Sequence, residues 1–203
     1  MKAKFSMKDA VDLANQIMDK RLREKVVKLL KSPDAKNSEF VYPATPFDKI
    51  PAWAMGAHHH YEGGELDHTI MVVKIALSMA EDLEKAYNAK PNKDHIIAGA
   101  LLHDVGKVFL IKREGKEWAF TGCHMDHADL SAQILYAHEF PEEVVHIVAS
   151  HGGDQGFPAA QPRTLEAILV THADFIDATV ESSTNPQAPQ MPIQFLLVQP
   201  DEK

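Results

Sequence analysis

The sequence is poor in cysteine, in long apolar runs and in positive charge. A single cysteine, Cys123, among 203 residues excludes an internal disulfide framework. No apolar run approaches the ~18 residues needed to cross a membrane; the longest resemble Val108–Ile111. The opening MKAKFSMKDA carries lysines with no apolar stretch behind them, so it does not read as a secretory signal. Together these absences lead us to expect a cytoplasmic protein with no membrane partner. Lys and Arg number 21 against 29 Asp and Glu, a net charge of −8. A long nucleic acid needs a basic face that this balance does not supply. A small phosphate-bearing substrate remains compatible with it, because bound cations invert the local charge.

Histidine, by contrast, is abundant: there are twelve. The length suits one domain with a sizeable core, here expected over residues 1–180 with a tail at 181–203. Apolar spacing predicts a helix over 7–31, capped by Ser6 and stopped at Ser32-Pro33. Residues 33–64 then read as a long irregular loop ending in His58-His59-His60 and Gly63-Gly64, and loops of that length are usually functional. Further helices are expected over 65–89, 93–104, 126–139, 142–150 and 164–180, with a β-hairpin over 108–121. The tail is Ser/Pro/Gln-rich, with Ile193–Val198 as a candidate short strand and the rest left disordered.

The helical stripes also carry polar groups. Ile96, Ala100 and His103 share a face, as do His127, Leu130 and Ile134, and Val144, Val148 and His151. His68 lies near the start of the second helix and Asp174 inside the last. Polar groups aimed into a core are costly unless partnered, and a shared metal centre would satisfy all of them. Four imidazoles and two carboxylates suit divalent Fe, Mn, Co, Ni or Zn. One aspartate can bridge two cations about 3.5–4 Å apart, which acidify a bridging water for attack on phosphorus.

Three segments resemble one family. HHHYEGGELDHTIMV (58–72) is similar to its HHxYxGGLxxHT motif, AGALLHDVGK (98–107) to its ALLHDIGK signature, and SHGG (150–153) with THADFIDA (171–178) to its closing His and Asp motifs. The chain resembles the HD-domain metal-dependent phosphohydrolases over roughly residues 10–180. The resemblance implies an all-α helical bundle of five or more helices around a metal site, here with the small hairpin inserted. It implies His68, His103, Asp104 and Asp174 as ligands of a one-metal form. A two-metal form adds His127 and His151, with Asp104 bridging. Two divalent cations are expected, because both extra histidines are present. Glu65 departs from the pattern, standing where the family prefers an apolar residue. His151-Gly152 stands where the family often has His-His-Gly, and no separate nucleic-acid-binding domain is expected ahead of the region.

The implied activity is metal-dependent hydrolysis of a small phosphodiester or phosphomonoester, a nucleotide or cyclic phosphate, by a metal-bridging hydroxide. Asp104, Lys107 and His59 are the candidate catalytic groups, with Lys107 reaching a phosphate oxygen and His59 protonating the leaving group. Lys107, His58 and His59 are the candidate substrate contacts. Blander roles stand beside these. Lys107 could serve the helix dipole, and His58 and His59 could simply pack the loop. His124 could replace His127. His172 and Asp177 could hydrogen-bond behind the ligands or be ordinary surface groups, and Trp53 and Trp118 read as packing residues. The alternatives to a hydrolase are a di-iron oxygenase with the same six ligands, a 3′-to-5′ RNA exonuclease, and a non-catalytic metal-binding module.

Overall fold

Two helices, rather than one, occupy the N-terminal segment: α1 (Met7–Ala14) and α2 (Lys20–Lys31). The apolar spacing runs through both, since Ala10, Leu13, Ala14, Ile17, Leu22, Val26, Leu29 and Leu30 are all buried. The break is made by hydrogen bonding instead. Asp19 caps α2, accepting the Leu22 N–H at 3.0 Å. Asp94, far along the chain, accepts the N–H groups of Met18 and Asp19, each at 2.9 Å. The computed structural model describes residues 2–54, 58–152 and 160–185.

The loop before α3 (Gly64–Tyr87) has no regular structure among its described residues, yet Phe47 and Ile50 anchor it in the core. It ends where Gly63 adopts φ +79°; a side chain there would be strained and would also press on Ala3. α4 (Lys93–Leu102) stops just short of His103-Asp104, and Asn92 caps its start. The expected hairpin begins later than its sequence suggests. Lys107–Leu110 forms a single helical turn, α5, and only Ile111–Glu114 (β1) and Glu117–Phe120 (β2) pair, antiparallel with Ile111 opposite Phe120. α6 (His127–Ala137), α7 (Glu142–Ser150) and α8 (Leu165–Thr184) follow, α8 running four residues past its expected end at 180. The candidate strand at 193–198 lies outside the described residues.

The result is an all-α bundle with one small hairpin. α3 packs along α8 and α4, α4 also packs on α7, and α7 on α6 and α8. α3 buries Ile70, Val72, Val73 and Ala76 on more than one face, as its all-round apolar sequence requires. Each such Val or Ile side chain contributes about 1.5–3 kcal/mol when fully buried, so the helix ends that carry the histidines are set on a rigid frame. Among the described residues, no helix is long and apolar enough to cross a membrane.

Candidate metal centre

The first turn of α3, the residues just after α4, the start of α6, the end of α7 and the middle of α8 converge on Asp104. All six residues expected as ligands meet there. Asp104 Oδ2 lies 3.1 Å from His103 Nε2 and 3.8 Å from His68 Nε2. Its other oxygen, Oδ1, lies 3.5 Å from His127 Nε2 and 3.6 Å from His151 Nε2. Asp174 Oδ1 stands 3.1 Å from His68 Nε2. Two donor sets therefore share one carboxylate: His68, His103 and Asp104 form one, Asp104, His127 and His151 the other. The choice between His127 and His124 resolves in favour of His127, because His124 is exposed.

Hydrogen bonds fix which ring nitrogen each histidine presents. His103 Nδ1 donates to Ala100 O (2.8 Å), His151 Nδ1 to Val148 O (2.6 Å) and His68 Nδ1 to Asp177 (2.7 Å). Each ring thereby turns Nε2 toward the centre, the arrangement that metal-ligating imidazoles require. The Nε2 atoms of His103 and His68 stand 3.3 Å apart, as do those of His151 and His127. Asp104 Oδ1 is buried without a hydrogen-bond partner, and a buried carboxylate oxygen left so is costly. A cation between each pair of nitrogens and Asp104 would satisfy all of these atoms, so the residues fit divalent metal ions.

The electrostatics agree. Burial opposes ionisation of Asp104, but Lys107, His103 and His127 hold its carboxyl well below the usual range. Burial likewise disfavours charge on His68, yet its hydrogen bonds to Asp174 and Asp177 raise it to about 10. Asp174 and Asp177 are held low by the histidines they face. Two carboxyls, of Glu65 and Asp104, face Lys107, while Asp174 and Asp177 face His68; divalent cations would balance this concentration of carboxylate.

Glu65 and Asp177 are the residues that sequence reasoning undervalued. Glu65, the departure from the family pattern, is fully buried and faces Lys107 Nζ at 3.4 Å, while Asp104 Oδ2 lies 2.5 Å from the same nitrogen. Burial pushes the Glu65 carboxyl up, and Lys107 opposes the rise. The departure was itself the signal, since a charge can enter that core position only with a buried partner. Asp177 lies one helical turn beyond Asp174 and accepts from both His68 and His59.

His59 sits behind the ligands rather than in front of them. Its ring is buried, with Nε2 2.8 Å from Asp177 and Nδ1 2.9 Å from the Tyr61 hydroxyl. Tyr61 donates onward to Asp67 (2.8 Å), which also accepts the backbone N–H groups of Lys4 and Phe5. The HHHYEGG segment is thus a hydrogen-bonded brace from the N-terminal residues Lys4 and Phe5 to His68. His58 differs: its ring packs 4.6 Å from that of His68, and its Nδ1 is buried without a partner. Burial holds it well below its ordinary pKa, hence neutral.

The comparisons with known proteins match this geometry. A family model described as the HD domain matches residues 66–179, more than half of the chain and the stretch holding all six expected ligands. The chain belongs to the HD-domain family. It is accordingly a metal-dependent phosphohydrolase, the class its motifs imply. It is similar to the dihydroneopterin 2′,3′-cyclic phosphate phosphodiesterase of Methanocaldococcus jannaschii, 42% identical over 176 residues that cover 86% of this chain and 70% of that protein. It is also similar to the ribonuclease Y proteins of Pseudothermotoga lettingae (30% identical) and Desulforamulus reducens (32%), each over 118 residues. Those matches cover 58% of this chain but only 19% of either ribonuclease, so the chain spans about a fifth of their length. No solved structure matches.

Proposed function

We propose that this HD-domain protein hydrolyses a small cyclic phosphodiester of the 2′,3′-cyclic phosphate class at a centre of two divalent cations. The observation that carries this reading is the division of Asp104: one carboxylate oxygen faces His68 and His103, the other His127 and His151. The similarity to a cyclic phosphate phosphodiesterase over most of both chains supports the substrate class. When bound, the two cations supply an acidified water and neutralise the phosphoryl oxygens of an in-line displacement.

The chain's own residues do the rest. His103 and His151, tied through Nδ1 to backbone carbonyls, hold their Nε2 lone pairs fixed, so little reorganisation accompanies the reaction. Asp174 completes the first donor set from α8. Lys107, held by Asp104 and Glu65, adds a fixed positive charge beside the site. His58, neutral and packed against the His68 ring with its Nδ1 unpartnered, offers a hydrogen-bonding contact beside the first donor set, and the leaving oxygen takes its proton from solvent water. His59 acts one step back, orienting Asp177 and through it His68.

The test is anaerobic purification with Mn²⁺ or Fe²⁺, followed by assay against 2′,3′- and 3′,5′-cyclic nucleotides, linear diesters, monoesters and single-stranded RNA, with Asp104→Ala as control. Metal-dependent opening of 2′,3′-cyclic phosphates, lost in the variant, is the expected result. Preference for RNA ends would move the reading to an exonuclease. Turnover of none of them with two metals bound would move it to oxygen chemistry.

A further inference from the structure

The candidate metal centre is most exposed at His127, and an aromatic residue stands beside it. Among the six ligand side chains, His127 is the most exposed, at 24% against 13% for Asp174 and 3% or less for the rest. Beside His127 stands Trp53. Its ring centroid is 5.8 Å from the His127 ring, 5.5 Å from Phe120 at the end of β2, and 5.6 Å from Lys107 Nζ. Both ring contacts are steeply tilted, at 73° and 78°, so neither neighbour lies parallel on the indole. Phe120 itself is an exposed large apolar side chain at the same rim.

The backbone that carries Trp53 is also tied to the histidine-rich segment. His60 Nδ1 donates to the Trp53 carbonyl at 2.8 Å, and the Ala52 N–H donates to His59 O. The histidine-rich segment that braces His68 therefore anchors the Trp53 backbone, and Phe120, His127 and Lys107 pack around the indole. A half-buried aromatic beside a phosphate-processing centre is suited to stacking on a flat ring, a contact that is strong and tolerant of ring identity.

Resting on the cyclic phosphodiesterase reading, we propose that Trp53 is a specificity residue, forming a stacking platform that selects cyclic phosphates carrying a planar heteroaromatic group. The class includes purines and pterin-like bicyclic rings. A cyclic phosphate with no heteroaromatic group would reach the metal centre and leave the platform uncovered.

The experiment compares wild-type, Trp53→Phe and Trp53→Ala, each loaded with Mn²⁺, on guanosine 2′,3′-cyclic phosphate and glycerol 1,2-cyclic phosphate. Metal content and thermal melts accompany each variant. Trp53→Ala is expected to lower the guanosine-to-glycerol ratio of kcat/KM by about 5- to 100-fold, mostly through KM, and Trp53→Phe is expected to keep most of it. An unchanged ratio in Trp53→Ala, even with both rates reduced, would overturn the proposal and leave Trp53 as packing. A second readout is independent of turnover: in a Trp118→Phe background, guanosine 2′,3′-cyclic phosphate should saturably quench Trp53 fluorescence. Quenching without hydrolysis would retain the platform and discard the reaction assigned above. Hydrolysis of both probes without quenching would discard the platform alone, and the absence of both would discard both.

Discussion

His59 Nε2 stands 2.8 Å from Asp177 Oδ2, the same oxygen that accepts the Nδ1–H of His68 at 2.7 Å. The relationship gives a histidine of the HHHYEGG segment a purpose that needs no contact with substrate. His59→Ala is expected to weaken cation affinity about 10- to 100-fold, the usual effect of losing a group that orients a metal ligand. Helicity should persist, and excess metal should restore much of kcat. Equilibrium dialysis with Mn²⁺ checks this; an unchanged affinity together with a lost kcat would instead place His59 on the substrate.

Lys107 and Glu65 are expected to behave as a pair. Lys107→Met leaves two carboxyls buried without their cation, which should destabilise the metal-free protein by about 3–5 kcal/mol. Adding Glu65→Leu to it should recover a large part of that loss, because the second charge has gone. Urea melts of the two variants decide it. Equal losses in the single and double variants would mean that Glu65 draws its support from elsewhere, such as Thr69, which donates to it at 3.1 Å.

Gly106 permits the close approach of α6. A Cβ there would lie 2.8 Å from His127 O and 2.9 Å from Ser131 Oγ. Gly106→Ala should therefore push the start of α6 outward, at a cost of about 1–3 kcal/mol. It should loosen the cation shared by His127 and His151 while sparing the one shared by His68 and His103. Sequential metal titration is the measurement, and two unaltered binding steps would argue against it.

Metal uptake should release a proton. In the metal-free protein His68 is raised to about 10 from an ordinary value near 6.5. Its protonated form contributes stability fully below about pH 6.5, and that contribution fades as pH rises through about 10. A cation takes the place of that proton. Calorimetric titration at pH 8 in buffers of different ionisation enthalpy should show about one proton released per chain from this group, whereas heats that do not vary with buffer would contradict it.

Much of the centre was legible in the sequence because the chemistry is tied to helix periodicity. His103 follows Ala100 and Ile96 down one face, and the burial of those neighbours determines where the imidazole points. The break between α1 and α2 was not legible, since Asp94 imposes it from another helix on a continuous apolar stripe. Asp177 and Glu65 were undervalued for a related reason. Their partners, His59 and Lys107, lie 118 and 42 residues away, and a carboxyl alone in sequence does not announce a buried counterpart. The delayed start of the hairpin goes with Lys107, drawn inward to Asp104 and forming a helical turn with the next three residues before β1 begins.

The central claim is that Asp104 joins two cation sites, and metal stoichiometry tests it most directly. Protein purified anaerobically with Mn²⁺ should hold about two ions per chain. His151→Ala should hold about one and His68→Ala about one, while Asp104→Ala should hold neither tightly. One ion per chain in the wild type, with no loss in His151→Ala, would contradict the account.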